Sequence, residues 1–377
     1  MFSERRMADG RSIKPPMLPD SKMNKTASRG ESRLIQQNNR QEKTMSKKQL
    51  VLDAFDVKPV KRVPVGFWFH FAQEHDLYRG LEDPTVIQKN IDGHKKFYKD
   101  FQPDFVKLMS DGYFGYPNAA IANAKTAADL YIAAPIGADH PWIQEQAELA
   151  AKLTNSFGDE VATFYNVFSP ATFLRFLLGG VINTGERELA DFILEDEHAV
   201  KHALNVIAQD LAALSQAVIT EGRATGIYLS VKNVQDERIT KETYRRVVSP
   251  SERLVLNAAH AASAYNILHI CGYEGSRNDL SVYVDYDVKA INWAVTVEGV
   301  SLSQGKRLFG GRAVIGGFGN TRESLLYKGS REDIEAYTQQ LLEDAGKIGV
   351  ILGADCTVPG DIDLSRLQWV REKAAAL

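Results

Sequence analysis

Short apolar runs alternate with longer amphipathic segments from Ser46 to the end of the chain. The short runs are rich in β-branched and aromatic residues, as buried strands are. The longer segments place apolar residues at helical spacing, as Val86, Ile87, Ile91 and Phe97 do after Asp83-Pro84. Strands are expected at 63–71, 104–109, 161–167, 226–232, 266–271, 290–294, 313–317 and 349–355.

Eight strands that alternate with helices predict an α/β chain folded as a single (β/α)8 (TIM) barrel over residues 46–377. A doubly wound open sheet is the alternative. It is less favoured because no Gly-x-Gly-x-x-Gly turn follows the first strand. In a barrel, catalytic side chains collect at the carboxyl ends of the strands.

Residues 1–45 differ from the rest of the chain. They hold ten Lys/Arg and five Asp/Glu, few large apolar residues and no sustained period. This composition is typical of a disordered leader. A start assigned too early is the alternative, with Met45 as the natural initiator, so the segment is left out of the predicted fold.

The composition limits the class of protein. The 377 residues are 44% hydrophobic and 25% charged, enough for a large buried core. A net charge of −3 argues against a nucleic-acid partner. No run approaches eighteen apolar residues, so no membrane span is expected. Two cysteines make no disulfide framework, and a cytoplasmic location is expected.

Those two cysteines suggest a metal site. His269 and Cys271 end the fifth predicted strand and, two positions apart, point to one face. Cys356 follows the eighth predicted strand, so its thiol is expected at the same rim. Imidazole and thiolate are preferred zinc ligands, and three of them leave the fourth position open to substrate. The alternative is two inert buried thiols beside a core histidine.

Other polar residues are expected at the same rim. Asp111 follows the second strand and is the candidate catalytic residue, able to orient substrate or support a metal ligand. His70 and Gln73 after the first strand, Tyr113 after the second and Asn320 after the seventh are candidate substrate-binding residues.

Several of these segments together resemble the uroporphyrinogen decarboxylase superfamily, which implies a (β/α)8 barrel of that type. The matching segments are 64–71, Lys107-Leu108-Met109-Ser110-Asp111, Phe168-Ser169-Pro170-Ala171-Thr172-Phe173 with Gly179-Gly180, His269-Ile270-Cys271-Gly272, Gly316-Gly317-Phe318-Gly319-Asn320-Thr321, and 349–356. They are spread over nearly the whole predicted barrel.

The resemblance is closer to one branch of that superfamily. True decarboxylases begin with Arg-Gln-Ala-Gly-Arg, where this chain has Gly66-Phe67-Trp68-Phe69-His70-Phe71 without arginine, and they carry Gly-His where it has Asp355-Cys356. Asp111 does match their pyrrole-binding aspartate. Zinc methyltransferases similar to methylcobalamin:coenzyme M methyltransferase carry His-x-Cys and a later Cys, matched by His269, Cys271 and Cys356. They often add a glutamate from the sixth strand, where Glu298 is the first acid here.

The resemblance therefore implies a zinc-dependent methyltransferase that activates a small thiol as a zinc thiolate to accept a methyl group from a corrinoid. The chain has no Asp-x-His-x-x-Gly corrinoid motif, so methylcobalamin is expected from a partner corrinoid protein or as free cofactor. The alternatives are a decarboxylase of porphyrin metabolism and a non-catalytic carrier or sensor of metal or tetrapyrrole. A monomer or homodimer is expected.

Overall fold

A computed structural model describes residues 46–179 and 184–377, and the predicted leader lies outside them. Its parallel sheet has seven strands, hydrogen-bonded in chain order. The strands are β1 (Phe105–Leu108), β2 (Ala162–Phe168), β3 (Gly226–Val231), β4 (Ile267–Ile270), β5 (Ala290–Trp293), β6 (Ala313–Phe318) and β7 (Val350–Ala354). The predicted parallel α/β sheet is confirmed for seven of the eight expected strands.

The remaining predicted strand, 63–71, is present in the described structure as a single bridged residue. Val65 pairs in parallel with Leu352 of β7, and Leu352 exchanges hydrogen bonds of 3.0 and 2.9 Å with Gly66 and Pro64. On the other side, the Asp104 N–H donates to the Val65 carbonyl at 2.9 Å. The segment thus lies between the two edge strands, but it does not form a regular strand of its own.

Pro64 and Gly66 distinguish this segment from the regular strands. Pro64 has no N–H to donate. Gly66 lies so close to β1 that a Cβ there would come within 2.3 Å of the Phe105 ring. Arg62 adds two charged hydrogen bonds of 2.6 and 2.5 Å to the fully buried Asp104. The segment is therefore held as much by side chains as by backbone pairing.

Helices connect the strands. They are α1 (Lys47–Phe55), α2 (Pro84–Phe101), α3 (Ala119–Ala122), α4 (Pro141–Phe157), α5 (Pro170–Gly179), α6 (Glu186–Glu195), α7 (Glu197–Thr220), α8 (Lys241–Val247), α9 (Ser249–Ala262), α10 (Val295–Glu298), α11 (Leu302–Leu308), α12 (Leu325–Lys328), α13 (Arg331–Ala345) and α14 (Leu364–Ala376). The helix expected from 241 to 264 is two helices, and the piece expected to be extended at 130–135 begins in a 3-10 turn, Ala127–Ile132.

Among the described helices, α7 alone is long and apolar enough to cross a membrane by length and composition. Of its most apolar 18-residue window, 67% is buried inside the fold. Such burial is typical of a core helix, and α7 packs against both α4 and α9.

Alternate strand residues form a separate inner cluster. It includes Phe105 and Met109 on the β1 segment, Phe164 on β2, Tyr228 on β3 and Ile267 on β4. Successive strand residues point to opposite faces, so the next position with the same parity on each strand faces the same interior. This places Lys107, His269 and Asn292 on the inner face of the sheet, together with Cys271, whose N–H still pairs with the Val231 carbonyl.

Candidate metal centre

His269, Cys271 and Cys356 come together beyond the carboxyl ends of β4 and β7. One ligand atom from each residue lies within 4.8 Å of the others. The Cys356 Sγ is 3.6 Å from the His269 Nε2. The three residues that the sequence singled out as metal ligands therefore form one cluster, although they are as much as 87 positions apart along the chain.

The spacing and chemistry of this cluster fit zinc. In a tetrahedral site with bonds of about 2.0–2.3 Å, ligand atoms lie roughly 3.3–3.8 Å apart. The observed 3.6 Å contact falls in that range. Ligand atoms that lie up to 4.8 Å apart would have to approach each other by about 1 Å to bind one ion. Both thiols are free, with Cys356 buried and Cys271 partly exposed. Two soft thiols and one imidazole leave one coordination position for an external ligand.

Tight packing fixes the direction of Cys271. Its backbone N–H donates to the Val231 carbonyl at 2.8 Å, which extends the pairing of β4 with β3 by one residue. The next residue is Gly272, where a Cβ would come within 2.4 Å of the Ala294 Cβ. A larger residue would push the ends of β4 and β5 apart. The missing Cβ therefore lets the chain after the thiol pack directly against Ala294.

Asn292 on β5 determines which nitrogen of His269 can bind a metal. It is paired with His269 in the strand register, and its Oδ1 contacts the His269 Nδ1. Its Nδ2 donates to the Ile315 and Ala354 carbonyls at 2.9 and 3.2 Å, so the amide oxygen must face the histidine. An oxygen acceptor requires the proton on Nδ1. The Nε2 lone pair is then free and faces Cys356.

Tyr228 completes this hydrogen-bond network. Its hydroxyl donates to the Asn292 Oδ1 at 2.7 Å, and its ring lies 5.4 Å from the His269 ring. Asn292 is fully buried, and all four of its hydrogen bonds are made within the protein. Such outer contacts orient a ligating histidine and raise its basicity.

A hydrogen bond couples the two thiols and shifts their pKa values in opposite directions. The hydrogen bond from Cys356 lowers the pKa of Cys271 to about 6, helped by the Tyr273 N–H and by the charges of Lys232 and Lys107. The same hydrogen bond, together with burial, raises the pKa of Cys356 to about 12. Cys271 is therefore the thiol that becomes a thiolate first in the absence of a metal.

Asp355 fixes the segment that carries Cys356. Its carboxylate accepts the N–H groups of Val295 and Thr296 at 2.8 and 3.0 Å, at the start of α10, and the Thr296 hydroxyl. Burial raises the pKa of Asp355 to about 6. The carboxylate is thus a structural anchor between β7 and β5.

Glu298, the first acid after β5, is not part of the described cluster. Its carboxylate accepts the Asn278 N–H and the Asn278 side-chain amide, each at 2.9 Å. Asn278 also donates to the Cys271 carbonyl at 3.0 Å. Glu298 therefore holds the loop after β4 through Asn278 and lies outside the described group of metal ligands. The inner position of β5 is occupied by Asn292.

Asp111 holds His70. The fully buried carboxylate accepts the Phe71 and Ala72 N–H groups at 2.6 and 3.1 Å and the His70 Nδ1 proton at 2.8 Å. With Nδ1 committed, the Nε2 of His70 is the nitrogen available to a ligand, and 37% of the side chain is exposed. The predicted catalytic residue is therefore enclosed, and the predicted substrate-binding histidine is the accessible member of the pair.

The other three predicted substrate-binding residues have different environments. Gln73 is exposed and precedes the 3-10 turn Glu74–Asp76. Tyr113 is 2% exposed and its hydroxyl donates to Glu145 at 3.1 Å. Asn320 is partly buried and donates to the Thr357 carbonyl at 3.0 Å, next to Cys356. Their roles stay predictions.

Sequence reasoning missed Asn292, Tyr228 and Lys107. Asn292 lies on the sixth predicted strand, from which the resemblance implies a glutamate ligand, and no sequence pattern assigns it a role. The usable signal was strand parity, since a polar side chain two positions after the apolar Ala290 must face the same interior. Lys107 gave the same signal between Phe105 and Met109. Which side chains lie beside each other on neighbouring strands, however, can be known only from the strand register.

Known proteins agree with this architecture. The family model described as uroporphyrinogen decarboxylase (URO-D) matches residues 116–377. No curated protein matches the chain. Among solved structures, a methyltransferase from Methanosarcina mazei is similar at a TM-score of 0.65 and 15% identity, over 88% of this chain and 99% of that chain. That likeness supports the fold.

A B12-independent methionine synthase from a Shewanella species, solved in complex with selenomethionine, is more distant. It covers 84% of this chain and 97% of that chain at 10% identity, with a TM-score of 0.49. The family match, by contrast, extends over more than half of the sequence, from the loop after β1 to the last residue. The chain therefore belongs to the uroporphyrinogen decarboxylase family.

Proposed function

We propose that this protein is a zinc-dependent methyltransferase that moves a methyl group from a corrinoid donor to a small thiol. The observation that carries the proposal is the cluster of His269, Cys271 and Cys356, with one ligand atom of each within 4.8 Å of the others. Two thiols and an imidazole leave an open coordination position at the carboxyl ends of the strands, where barrel enzymes place their chemistry.

A bound zinc ion would supply one chemical effect, which is to lower the pKa of a coordinated thiol so that its thiolate exists near neutral pH. The protein's residues do the rest. Asn292 keeps the proton of His269 on Nδ1, and the close packing at Gly272 and the anchor at Asp355 hold the two thiols. We assign His70, held by Asp111, to contact the substrate through Nε2.

The reaction balances without a further redox partner. The acceptor thiol loses its proton to solvent, and its sulfur forms a bond with the transferred methyl group. The bonding electron pair of the donor stays with the corrinoid. We propose that the corrinoid is brought by a partner protein or as free methylcobalamin, and that the enzyme acts in the cytoplasm.

The finer fold assignment follows from the same edge contacts. We propose that segment 64–66 takes the place of the eighth strand of a (β/α)8 barrel, because it hydrogen-bonds to β7 on one side and to the residue before β1 on the other. Such closure would give the metal cluster a continuous wall. It would also bring His70, which follows this segment, to the same rim as Cys271.

The decarboxylase alternative has less support. A porphyrinogen with many carboxylates needs several cationic clamps, and segment 66–71 contains no arginine. The buried Arg175 is already paired with Glu186, which also binds Lys232 at 3.0 Å. These cations are thus partly neutralised by the protein itself.

The test is thiol-dependent demethylation of methylcobalamin, followed by absorbance, with zinc-loaded protein and a panel of small thiols. Activity is expected with at least one thiol and is expected to be lost in Cys356→Ser and His269→Gln. The matched control is His260→Gln, which changes a half-exposed histidine on α9 and should keep full activity. Zinc-loaded protein that demethylates methylcobalamin with no thiol, or equally well after Cys356→Ser, would contradict the proposal.

A further inference from the structure

A buried lysine lies on the inner face of the sheet, over the ring of Tyr228, which in turn packs beside His269. Lys107 is the third residue of β1 and is 5% exposed. It has the same strand parity as Phe105 and Met109, which belong to the apolar inner cluster. A lysine is rarely buried to this degree without a charged partner. An anion near the Lys107 Nζ would therefore stabilise this buried charge.

The described residues offer Lys107 no conventional partner. Its Nζ lies 4.2 Å from the centre of the Tyr228 ring and 5.5 Å from that of Trp68. Among residues 46–179 and 184–377 its Nζ forms no ion pair with a carboxylate and no hydrogen bond, whereas the Lys107 backbone carbonyl lies 3.3 Å from the His94 Nε2. Ring faces attract a cation, but they do not cancel its charge.

The negative charges that act on Lys107 are those of the two thiols and of Asp111. Burial lowers the pKa of Lys107 to about 8, while the charges of Cys356, Cys271 and Asp111, in that order, raise it. The ammonium form therefore predominates at neutral pH. Asp111 is already held by His70 and two backbone N–H groups. The thiol pair is the remaining counter-charge.

We propose that Lys107 is a positioning residue that supplies the fixed positive charge of the metal centre and makes its open position prefer an anionic ligand over a neutral one. This inference rests on the proposed function. A dication with two cysteine thiolates and neutral His269 carries no net charge. An anionic fourth ligand makes the group −1, and Lys107 restores neutrality; a neutral ligand leaves the Lys107 charge uncompensated.

The lysine also connects to the histidine side of the cluster. The Lys107 Nζ lies over the ring of Tyr228. The hydroxyl of Tyr228 donates to Asn292, which in turn holds His269. The positive charge thus lies against the network that fixes the imidazole and does not compete for its Nε2. Lys107 can act on the centre through its charge without occupying the substrate position.

The experiment measures ligand preference directly. Wild type, Lys107→Met, Lys107→Gln and Lys107→Arg are loaded with Co²⁺, and visible absorption follows titration with 2-mercaptoethanol, which binds as a thiolate, and with imidazole, which binds neutral. Loss of the charge should weaken thiol binding by about tenfold or more and leave imidazole binding within about twofold. Lys107→Arg, which keeps the charge, should stay close to wild type.

The outcomes separate the two proposals. Equal weakening of thiol and imidazole binding in both Lys107→Met and Lys107→Gln would show a merely structural role and overturn the inference. Unchanged thiol affinity in either uncharged variant that retains cobalt would also overturn it. Wild-type protein that binds no cobalt would contradict the proposed function and, with it, this inference. The cobalt content of wild type is therefore measured first.

Discussion

The hydrogen bonds of Asn292 give the most quantitative prediction. Replacing it with alanine removes the acceptor for the His269 Nδ1 and for the Tyr228 hydroxyl, and the donors to the Ile315 and Ala354 carbonyls. At about 1 kcal/mol for each of four hydrogen bonds, the free energy of unfolding should fall by roughly 4 kcal/mol. The affinity for zinc should fall by about 10–100-fold, because the imidazole loses its orientation and preferred tautomer.

A matched variant separates these two effects. Asn292→Asp keeps an oxygen acceptor for His269 and Tyr228 but loses the amide donors to Ile315 and Ala354. It should lose at least as much stability as Asn292→Ala, because its second carboxyl oxygen would face these two carbonyl oxygens without a donor between them, and it should keep zinc affinity within about threefold of wild type. Zinc affinity is measured by competition with a chromogenic chelator, and stability by denaturant unfolding of the metal-free proteins.

The reasoning would be refuted if Asn292→Ala bound zinc as tightly as wild type. It would also be refuted if Asn292→Asp lost as much zinc affinity as Asn292→Ala, because damage to packing and not loss of the acceptor would then explain both.

Three further changes test neighbouring parts of the site. Tyr228→Phe removes one 2.7 Å hydrogen bond but leaves His269 its acceptor, so chelator competition should show at most about a threefold loss of zinc affinity. Gly272→Ala should cost about 1–3 kcal/mol and weaken zinc binding, because its Cβ would meet that of Ala294 at 2.4 Å; Gly115→Ala, where the nearest atom is 3.6 Å away, should do neither. Asp111→Asn should lower stability at neutral pH by about 2 kcal/mol in denaturant unfolding. Burial raises the pKa of Asp111, but His70 and two N–H donors outweigh it and lower the net value. The difference in unfolding free energy between Asp111→Asn and wild type should therefore be complete above about pH 4, the pKa of Asp111 in the unfolded chain. It should disappear as the pH falls through the lower pKa of Asp111 in the folded protein. A stability difference that persisted below that pH would contradict this reasoning.

Much of the fold could be predicted from the sequence because its signals are local. The seven regular strands are short apolar runs between amphipathic helices, and the regular Ala/Leu/Ile stripe from Glu197 to Thr220 predicts α7. The first predicted strand shows the limit. Its residues are as apolar as those of β2, but Pro64 has no N–H to donate to the ladder, and the segment is bridged to β7 at Val65 alone among the described residues.

The candidate site likewise has residues that the sequence predicts and residues that it does not. His269, Cys271 and Cys356 could be found because soft ligands are rare in this chain and fall at strand ends. Asn292 and Lys107 could not be assigned, because their roles depend on which side chains lie beside them across strands. The enclosure of Asp111 by the backbone of residues 71 and 72 likewise follows from a loop path that has no sequence pattern.

The central claim is that His269, Cys271 and Cys356 bind one metal ion. Its most direct test is the metal content of the purified protein by elemental mass spectrometry, for wild type, Cys271→Ser, Cys356→Ser and His269→Gln, with His260→Gln as the control. The account predicts about one zinc per chain in wild type and His260→Gln, and its loss in the other three. No zinc in wild type, or zinc retained after Cys356→Ser, would contradict it.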